Sequence, residues 1–538
     1  MDQTADRKQK ENAGKQNRQS FLKGALYLSL AAVIVKILSA VYKVPYQNIT
    51  GDVGFYVYQQ VYPFYGIALV LATYGFPVII SKLVADEWEK RGAEGVKGLL
   101  IVSLTVVACI NLVLGLLLYS SAPALAGWIG DDQLAWPLRA MAAPFLIMPF
   151  VSVLRGYYQG MQWMTPSAVS QVVEQSVRVA AILLLSTWAM QHYGPYEAGV
   201  AAALGSFFGA VAALFVLTAM SEKRGLSNKR AVVQWRKHTK AIAAGGFFVC
   251  ISAMSLVLMQ LIDALTMVRL LGHGGIDGEM IPVLKGIYDR GWPMVQMGTV
   301  ITTSFSLSLV PLVAKAAYYN DEMKMRLYAV RSLKIGTIFG GASATGLAVI
   351  MPSLNPMLFT DREGELALQI LSMTVFPASV FLTAAAVLHG VGKGRILLIA
   401  VFTGMIVKGV LNVILVPFLD ITGAAAAALI SYLVVAIIVL VYLTKAGLLR
   451  IEKKTVTKGW VLAAALLITT AAAWQFVWLE GVDTRTGFAF TALSSSVIGG
   501  TAFLVAAVKL NLFRNEEWKD IPKLSSIISK LERKKGAD

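Results

Sequence analysis

Charged side chains set inside long apolar runs are the residues of this sequence that ask for a chemical explanation, because an ionic group at the centre of a membrane helix costs roughly 2.5–3.5 kcal/mol. Ser29, Lys36, Ser39 and Lys43 recur at spacings of seven, three and four, which places them on one face of a helix. Asp289, Trp292, Gln296, Thr299, Thr303 and Ser306 form a second stripe at spacings of three and four. Tyr58, Tyr62 and Tyr65 share a third face, and Asp263 with Thr266 marks a fourth. Ammonium groups attract phosphate, while rings and hydroxyls suit sugars, so these faces fit an anionic, sugar-bearing substrate. The binding candidates are Lys36, Ser39, Lys43, Tyr62, Arg290, Gln296, Thr299 and Thr303. The plainer alternative is that Lys36 and Lys43 bridge to acids such as Asp263, with Lys43 reaching toward the interface. Asp263 and Glu174 are the candidates for coupling to H+ or Na+. For Asp263 the competing reading is a pair with Lys36. For Glu174 the expectation is an intrahelical pair with Arg178, four residues on. Lys285 and Asp289 have the same spacing and predict a local pair near the outer surface, leaving Arg290 the less satisfied charge.

Catalytic readings find little support. His192, His238, His273 and His389 show no metal-ligand spacing. Cys109 and Cys250 lie in apolar runs and make no disulfide framework. No glycine-rich nucleotide loop is present, and no acidic pair in a sizeable loop offers to hold a metal for glycosyl transfer. The expectation is a protein that is not an enzyme and has no cofactor.

The elements carrying these residues follow from composition. Of 538 residues, 57% are hydrophobic and 15% charged, against roughly 25% charged in soluble domains. Apolar runs of about 20 residues predict fourteen transmembrane helices. They cover 22–44, 59–84, 97–120, 134–158, 166–190, 197–220, 240–271, 287–317, 330–351, 366–390, 395–417, 421–444, 458–479 and 487–509. The fold class is therefore an all-α polytopic membrane protein. A net charge of +17 would suggest nucleic acid in a soluble chain, but the basic residues gather in both tails and in alternate loops. Lys90, Arg91, Arg236, Lys237, Lys324, Arg326, Lys453 and Lys454 mark one set of loops, while Asp131, Asp132, Glu197, Asp420, Glu480 and Asp483 mark the other. This pattern predicts cytoplasmic termini, membrane lipid as the surroundings and no nucleic-acid partner.

A weak internal repeat runs at an offset of roughly 224 to 234 residues. Gly54-Phe55-Tyr56 echoes Gly286-Ile287-Tyr288, Phe76-Pro77 echoes Val310-Pro311, Gly160 echoes Gly390, and Gly199 echoes Gly423. Arg178 falls opposite Lys408. Six helices per repeat is an even number, so the halves share one orientation about an axis along the membrane normal. The division expected is a basic tail at 1–21, an N-lobe at 22–220, a cytoplasmic linker at 221–239, a C-lobe at 240–444, two added helices within 458–509 and a basic tail at 510–538.

Leu154-Arg155-Gly156-Tyr157-Tyr158-Gln159-Gly160, followed by Pro166 and Ser170-Gln171-Val172-Val173-Glu174-Gln175, resembles the polysaccharide-type flippases of the multidrug, oligosaccharidyl-lipid and polysaccharide exporter superfamily. Leu388-His389-Gly390-Val391-Gly392-Lys393, Leu411-Asn412, and Gly75-Phe76-Pro77 with Ser81-Lys82-Leu83-Val84 fit the same family. The resemblance is nearest to the stage V sporulation protein B-like and Gram-positive lipid II flippase branch. It implies a monomeric bacterial plasma-membrane transporter with two six-helix lobes that carries an undecaprenyl-diphosphate-linked saccharide outward by alternating access. It also implies basic residues on the first helix, matched by Lys36 and Lys43, although arginine is usual there and lysine lacks its bidentate fork. A cation-coupled multidrug exporter is the alternative, disfavoured by fourteen helices and a cationic first helix. A membrane glycosyltransferase is a third reading, for which the large outer loop is missing.

Overall fold

The computed structural model describes residues 27, 28, 30–220, 231–243, 254–449 and 455–513, excluding the side chains of 74, 301, 303–311 and 455–457. The N-terminal basic tail, the C-terminal tail beyond residue 513, Ser29, Cys250 and part of the linker therefore lie outside the described residues, as do the side chains of Thr303 and Ser306.

Every described regular element is helical, as a lipid-exposed backbone requires when no water can satisfy its polar groups. In the first half of the chain these are α1 (30–41), α2 (Lys43–Val70), α3 (Phe76–Ile129), α4 (Ala135–Ala140), α5 (Pro144–Gly160), α6 (Thr165–His192), α7 (Pro195–Ala219), α8 (235–243), α9 (Ser255–His273) and α10 (Met280–Asp289). The second half holds α11 (Gly291–Tyr318), α12 (Glu322–Phe359), α13 (Glu365–Met373), α14 (Val375–Gly390), α15 (Arg395–Lys445), α16 (Thr455–Leu479) and α17 (Arg485–Lys509). Ten helical stretches among the described residues are long and apolar enough to cross a membrane. The longest contain more than one helix. Left-handed residues interrupt α2 at Gly51 (φ 67°), α3 at Gly92 (φ 60°) and α15 at Asp420 (φ 50°), and the last two fall where charged loops were expected. Glycine, at the first two, adopts such a conformation without a Cβ penalty.

The chain divides into two compact units, Met1–Asp289 and Arg290–Asp538. In the first, α6 and α7 make an extensive interface through the small residues of α7. A Cβ at Gly209 would sit 2.8 Å from the Glu174 carbonyl oxygen, so glycine is what lets these backbones approach. Gly156 and Gly160 seat α5 on Ile80 and Val84 of α3 in the same way. Both α9 and α10 pack on α2, where Gln60 Nε2 donates to the Ala264 carbonyl at 2.5 Å. Gly286 lies so near the Asp52 carbonyl that a Cβ would be 2.2 Å from its oxygen.

In the second unit, α12 is covered by α16 and α17 through Ile335, Ile338, Ala463, Leu467, Phe503 and Ala507. Gln475 of α16 donates to the Val349 carbonyl at 2.8 Å. Arg485, opening α17, donates to the Met357 and Leu358 carbonyls at 2.8 and 3.1 Å and so caps the end of α12. The two helices expected as an addition to the repeat are held on this unit by those contacts. Large apolar side chains such as Leu184, Phe215 and Phe418 are more than 70% exposed, as lipid-facing residues are.

The α8 segment is tied to the charged stretch of α3 before the break at Gly92, in the interval expected between two spans. Glu87 accepts from Lys237 Nζ at 3.0 Å, lies 3.2 Å from His238 Nε2, and has Arg91 Nη1 at 3.6 Å. Burial works against the Glu87 carboxylate, but hydrogen bonds from Lys237 and His238 outweigh it and hold the carboxyl below its ordinary range. Because the folded value is the lower one, this tie contributes fully above the ordinary carboxylate pKa and is lost as pH falls through the lowered value. Proteolytic cutting within 231–243 is expected to rise in strong acid for the wild type. Glu87→Gln is expected to show faster cutting already at neutral pH; equal rates for the two at neutral pH would remove the proposed role.

Candidate functional site

The polar interior of the first unit is built around α2. Its Tyr58, Tyr62 and Tyr65 do share a face, and with Tyr46 they form a ladder whose successive rings are 5.0, 5.8 and 6.1 Å apart. Tyr42 extends it through a hydroxyl contact of 2.6 Å with Tyr58. Each ring presents an apolar body with a polar tip, so the ladder can be buried and still offer hydrogen bonds. Pro63 removes one helical hydrogen bond along it, and a π-helical turn at Leu71–Gly75 follows.

Lys43 lies against this ladder with 1% exposure, its Nζ 4.3 Å from the centre of the Tyr62 ring. Among the described residues no hydrogen bond or ion pair reaches that ammonium. Asp289 acts on it through space, but both Asp289 oxygens accept from Lys285 Nζ at 2.6 Å. A ring face offsets only part of the cost of a buried cation, so an anion entering here would be strongly favoured. Lys36 is half-buried on α1, one helical face with Lys43.

Arg178 closes the other end of the ladder. It donates to Tyr65 Oη at 2.7 Å and to Ser39 Oγ at 3.3 Å, and it also bonds Gln175 Oε1. Ser39 is thus a partner of Arg178. The intrahelical Glu174–Arg178 pair is not formed. Glu174 instead accepts from Arg155 Nη2 of α5 at 2.7 Å, with Arg155 Nε donating to Ser170 Oγ at 3.1 Å. The reason is geometric: α6 turns Glu174 toward α5, while the tyrosine hydroxyl and Ser39 draw Arg178 toward α2. Among the described residues Glu174 Oε1, Gln175 Nε2 and Thr73 Oγ1 of the π-turn have no hydrogen-bond partner, and all three residues line one cavity of about 50 Å³.

Asp263 is buried and accepts from Tyr288 Oη at 2.7 Å. Lys285 and Asp289 make the local pair that their spacing predicted, and each is only 2% exposed.

Arg290, Gln296 and Thr299 belong to the second unit. Arg290 is not the unsatisfied charge expected. It is fully buried and donates through both terminal nitrogens to Asp361, at 2.6 and 2.8 Å. Its fork satisfies a carboxylate in the turn after α12, which spacing on its own helix could not reveal. Gln296 is half-buried, and Thr299 is buried with its hydroxyl donating to the Gln296 carbonyl at 3.0 Å. Lys408, the repeat counterpart of Arg178, is also fully buried and donates to the Ala424 carbonyl at 2.9 Å.

The site residues missed from spacing are Arg155, Asp361 and Tyr42. An arginine within an apolar run was the available signal for Arg155. The other two become visible only when separate elements are brought together.

Comparison with known proteins extends this picture. Residues 21–317 match the family described as polysaccharide biosynthesis protein. The uncharacterized membrane protein YabM of Bacillus subtilis (strain 168) is 40% identical over 526 residues, covering 95% of this chain and 97% of YabM. The lipid II flippase MurJ of the same organism is 25% identical, over 93% of this chain and 97% of MurJ. Among solved structures, the lipid II flippase MurJ in an inward closed conformation superposes with a TM-score of 0.66 at 12% identity, covering 90% of this chain and 99% of that one.

Proposed function

The chain belongs to the polysaccharide biosynthesis protein family of multi-pass membrane transporters and flippases, and from that premise we propose that it moves an undecaprenyl-diphosphate-linked saccharide, a peptidoglycan precursor or another cell-wall polysaccharide unit, from the inner to the outer leaflet. The observation that carries this reading is Lys43: a buried ammonium resting on a tyrosine ring with no described anionic contact is placed to receive a phosphate. Lys36 supplies a second positive charge from the same helical face. The tyrosine ladder with Ser39 offers rings and hydroxyls to the sugar, and the lipid tail remains in the bilayer. Gln296, Thr299 and Thr303 are the polar contribution of the second unit. Arg290 contributes through Asp361, whose release it would need before meeting substrate. The full architecture proposed is fourteen spans in two six-helix lobes plus two helices, both termini cytoplasmic, working as a monomer by rocking of the lobes.

Similarity to a protein named as a lipid II flippase over nearly the whole of both chains supports the substrate class. The test is translocation of labelled lipid-linked saccharides in proteoliposomes holding the purified full chain. Glu174 is the proposed coupling residue, because its free oxygen borders the small polar cavity beside the π-turn. Glu174→Gln is expected to preserve translocation at equilibrium while removing its response to an imposed H+ or Na+ gradient. A gradient response unchanged from the wild type would move the coupling role to Asp263.

A further inference from the structure

An open cavity of about 530 Å³ lies in the second unit, where the turn joining α16 to α17 meets the turn after α12. That volume is in the range of sites for small amphiphiles. Arg362, Glu480 and Asp483 bring one positive and two negative charges to it, and Phe476, Leu479 and Phe488 supply apolar wall. The guanidinium of Arg362 is stacked over the Phe488 ring, 5.1 Å from its centre, which fixes it at the cavity wall. Among the described residues, the exposed side chains of Arg362, Glu480 and Asp483 make no hydrogen bond or ion pair with one another, and the Arg362 charge is felt only through space by Glu365 at the start of α13. Opposite charges sharing one cavity without pairing are arranged for a ligand that carries both signs.

The surroundings narrow its class. The cavity opens at the end of α16, where Phe476 is 74% and Val477 68% exposed on a helix apolar enough to span the membrane. Trp478, with its ring 5.6 Å from that of Phe490, marks the boundary level that tryptophan favours. A molecule reaching this position has its apolar part in lipid and its charges at the interface. We propose that the cavity binds an amine-bearing phospholipid of the phosphoethanolamine type. Glu480 and Asp483 accept from the ammonium, Arg362 pairs with the phosphodiester, and an acyl chain runs along Phe476.

The experiment is native mass spectrometry of the detergent-solubilised full chain with equimolar dioleoyl phosphatidylethanolamine and dioleoyl phosphatidylglycerol. The wild type is expected to retain the ethanolamine lipid about fivefold over the glycerol lipid, the scale of a partly exposed ionic contact. In the double variant Glu480→Gln, Asp483→Asn that ratio is expected to fall to about one, and Arg362→Ala is expected to weaken retention of both lipids. Each substitution is at an exposed position, so the fold is kept. Equal retention of the two lipids by the wild type, or an unchanged ratio in the double variant, would overturn the proposal. So would retention of free glycerophosphoethanolamine as strong as that of the lipid, since the acyl chain would then contribute nothing.

Discussion

Lys43→Ala is expected to lower translocation of a diphosphate-linked saccharide by about 10- to 100-fold. A hydrogen bond to a charged group is worth roughly 1.5–3 kcal/mol, and each 1.4 kcal/mol is a factor of ten. The substitution removes an ammonium that is 1% exposed and has only the Tyr62 ring as a close described partner. Folding should survive, because no ion pair is broken. Lys43→Met keeps the apolar stem and should be as inactive as Lys43→Ala, whereas Lys43→Arg restores charge and a two-pronged donor and should recover most of the rate. The readout is the accessibility of a labelled lipid to reagent added outside proteoliposomes. If Lys43→Met flips at the wild-type rate, the ammonium has no phosphate to bind and the lysine only fills space.

Arg155→Ala is expected to destabilise the protein by about 3–5 kcal/mol, the usual result of removing one member of a buried ion pair. The stranded group would be Glu174, 4% exposed and held by Arg155 at 2.7 Å. Ser170 would lose its donor from Arg155 in the same change. The measurement is the thermal unfolding midpoint of the purified protein in one detergent. Replacing both residues, as Arg155→Leu with Glu174→Leu, should recover much of the loss, since no unpaired charge remains. That pair of variants separates structure from function. The stabilised double variant should still lack coupling if Glu174 carries the ion, and a coupled double variant would exclude that role.

What could be foreseen from the sequence depended on how local each interaction is. Spans were visible because hydropathy acts residue by residue, and the breaks at Gly92 and Asp420 fall in charged loops that composition had marked. The Lys285–Asp289 pair was legible because both residues lie on one helix at a spacing that brings them together. The same rule failed at Glu174, whose helical neighbour Arg178 had better partners elsewhere: Tyr65 on α2, Ser39 on α1, and Gln175 beside it. It also failed at Arg290, because Asp361 follows 71 residues later in a turn. The tyrosine face of Tyr58, Tyr62 and Tyr65 was evident from periodicity, yet Tyr42 joins it only because the chain breaks at Gly51 and returns. The π-turn at Leu71–Gly75 has no sequence signature comparable to a proline or a cap, and the cavity beside it was invisible for that reason.

Membership of the family and an all-helical membrane fold leave the cargo as the point on which the account stands. The most direct measurement places the wild-type chain alone in liposomes with labelled undecaprenyl-diphosphate-linked mono- and disaccharide lipids, in parallel with a labelled cationic drug. With a lipid-linked saccharide as cargo, at least one of these lipids reaches the opposite leaflet faster than in protein-free liposomes, and the drug does not move. Movement of the drug, with every lipid-linked saccharide left at the protein-free rate, would contradict it and favour a cation-coupled exporter.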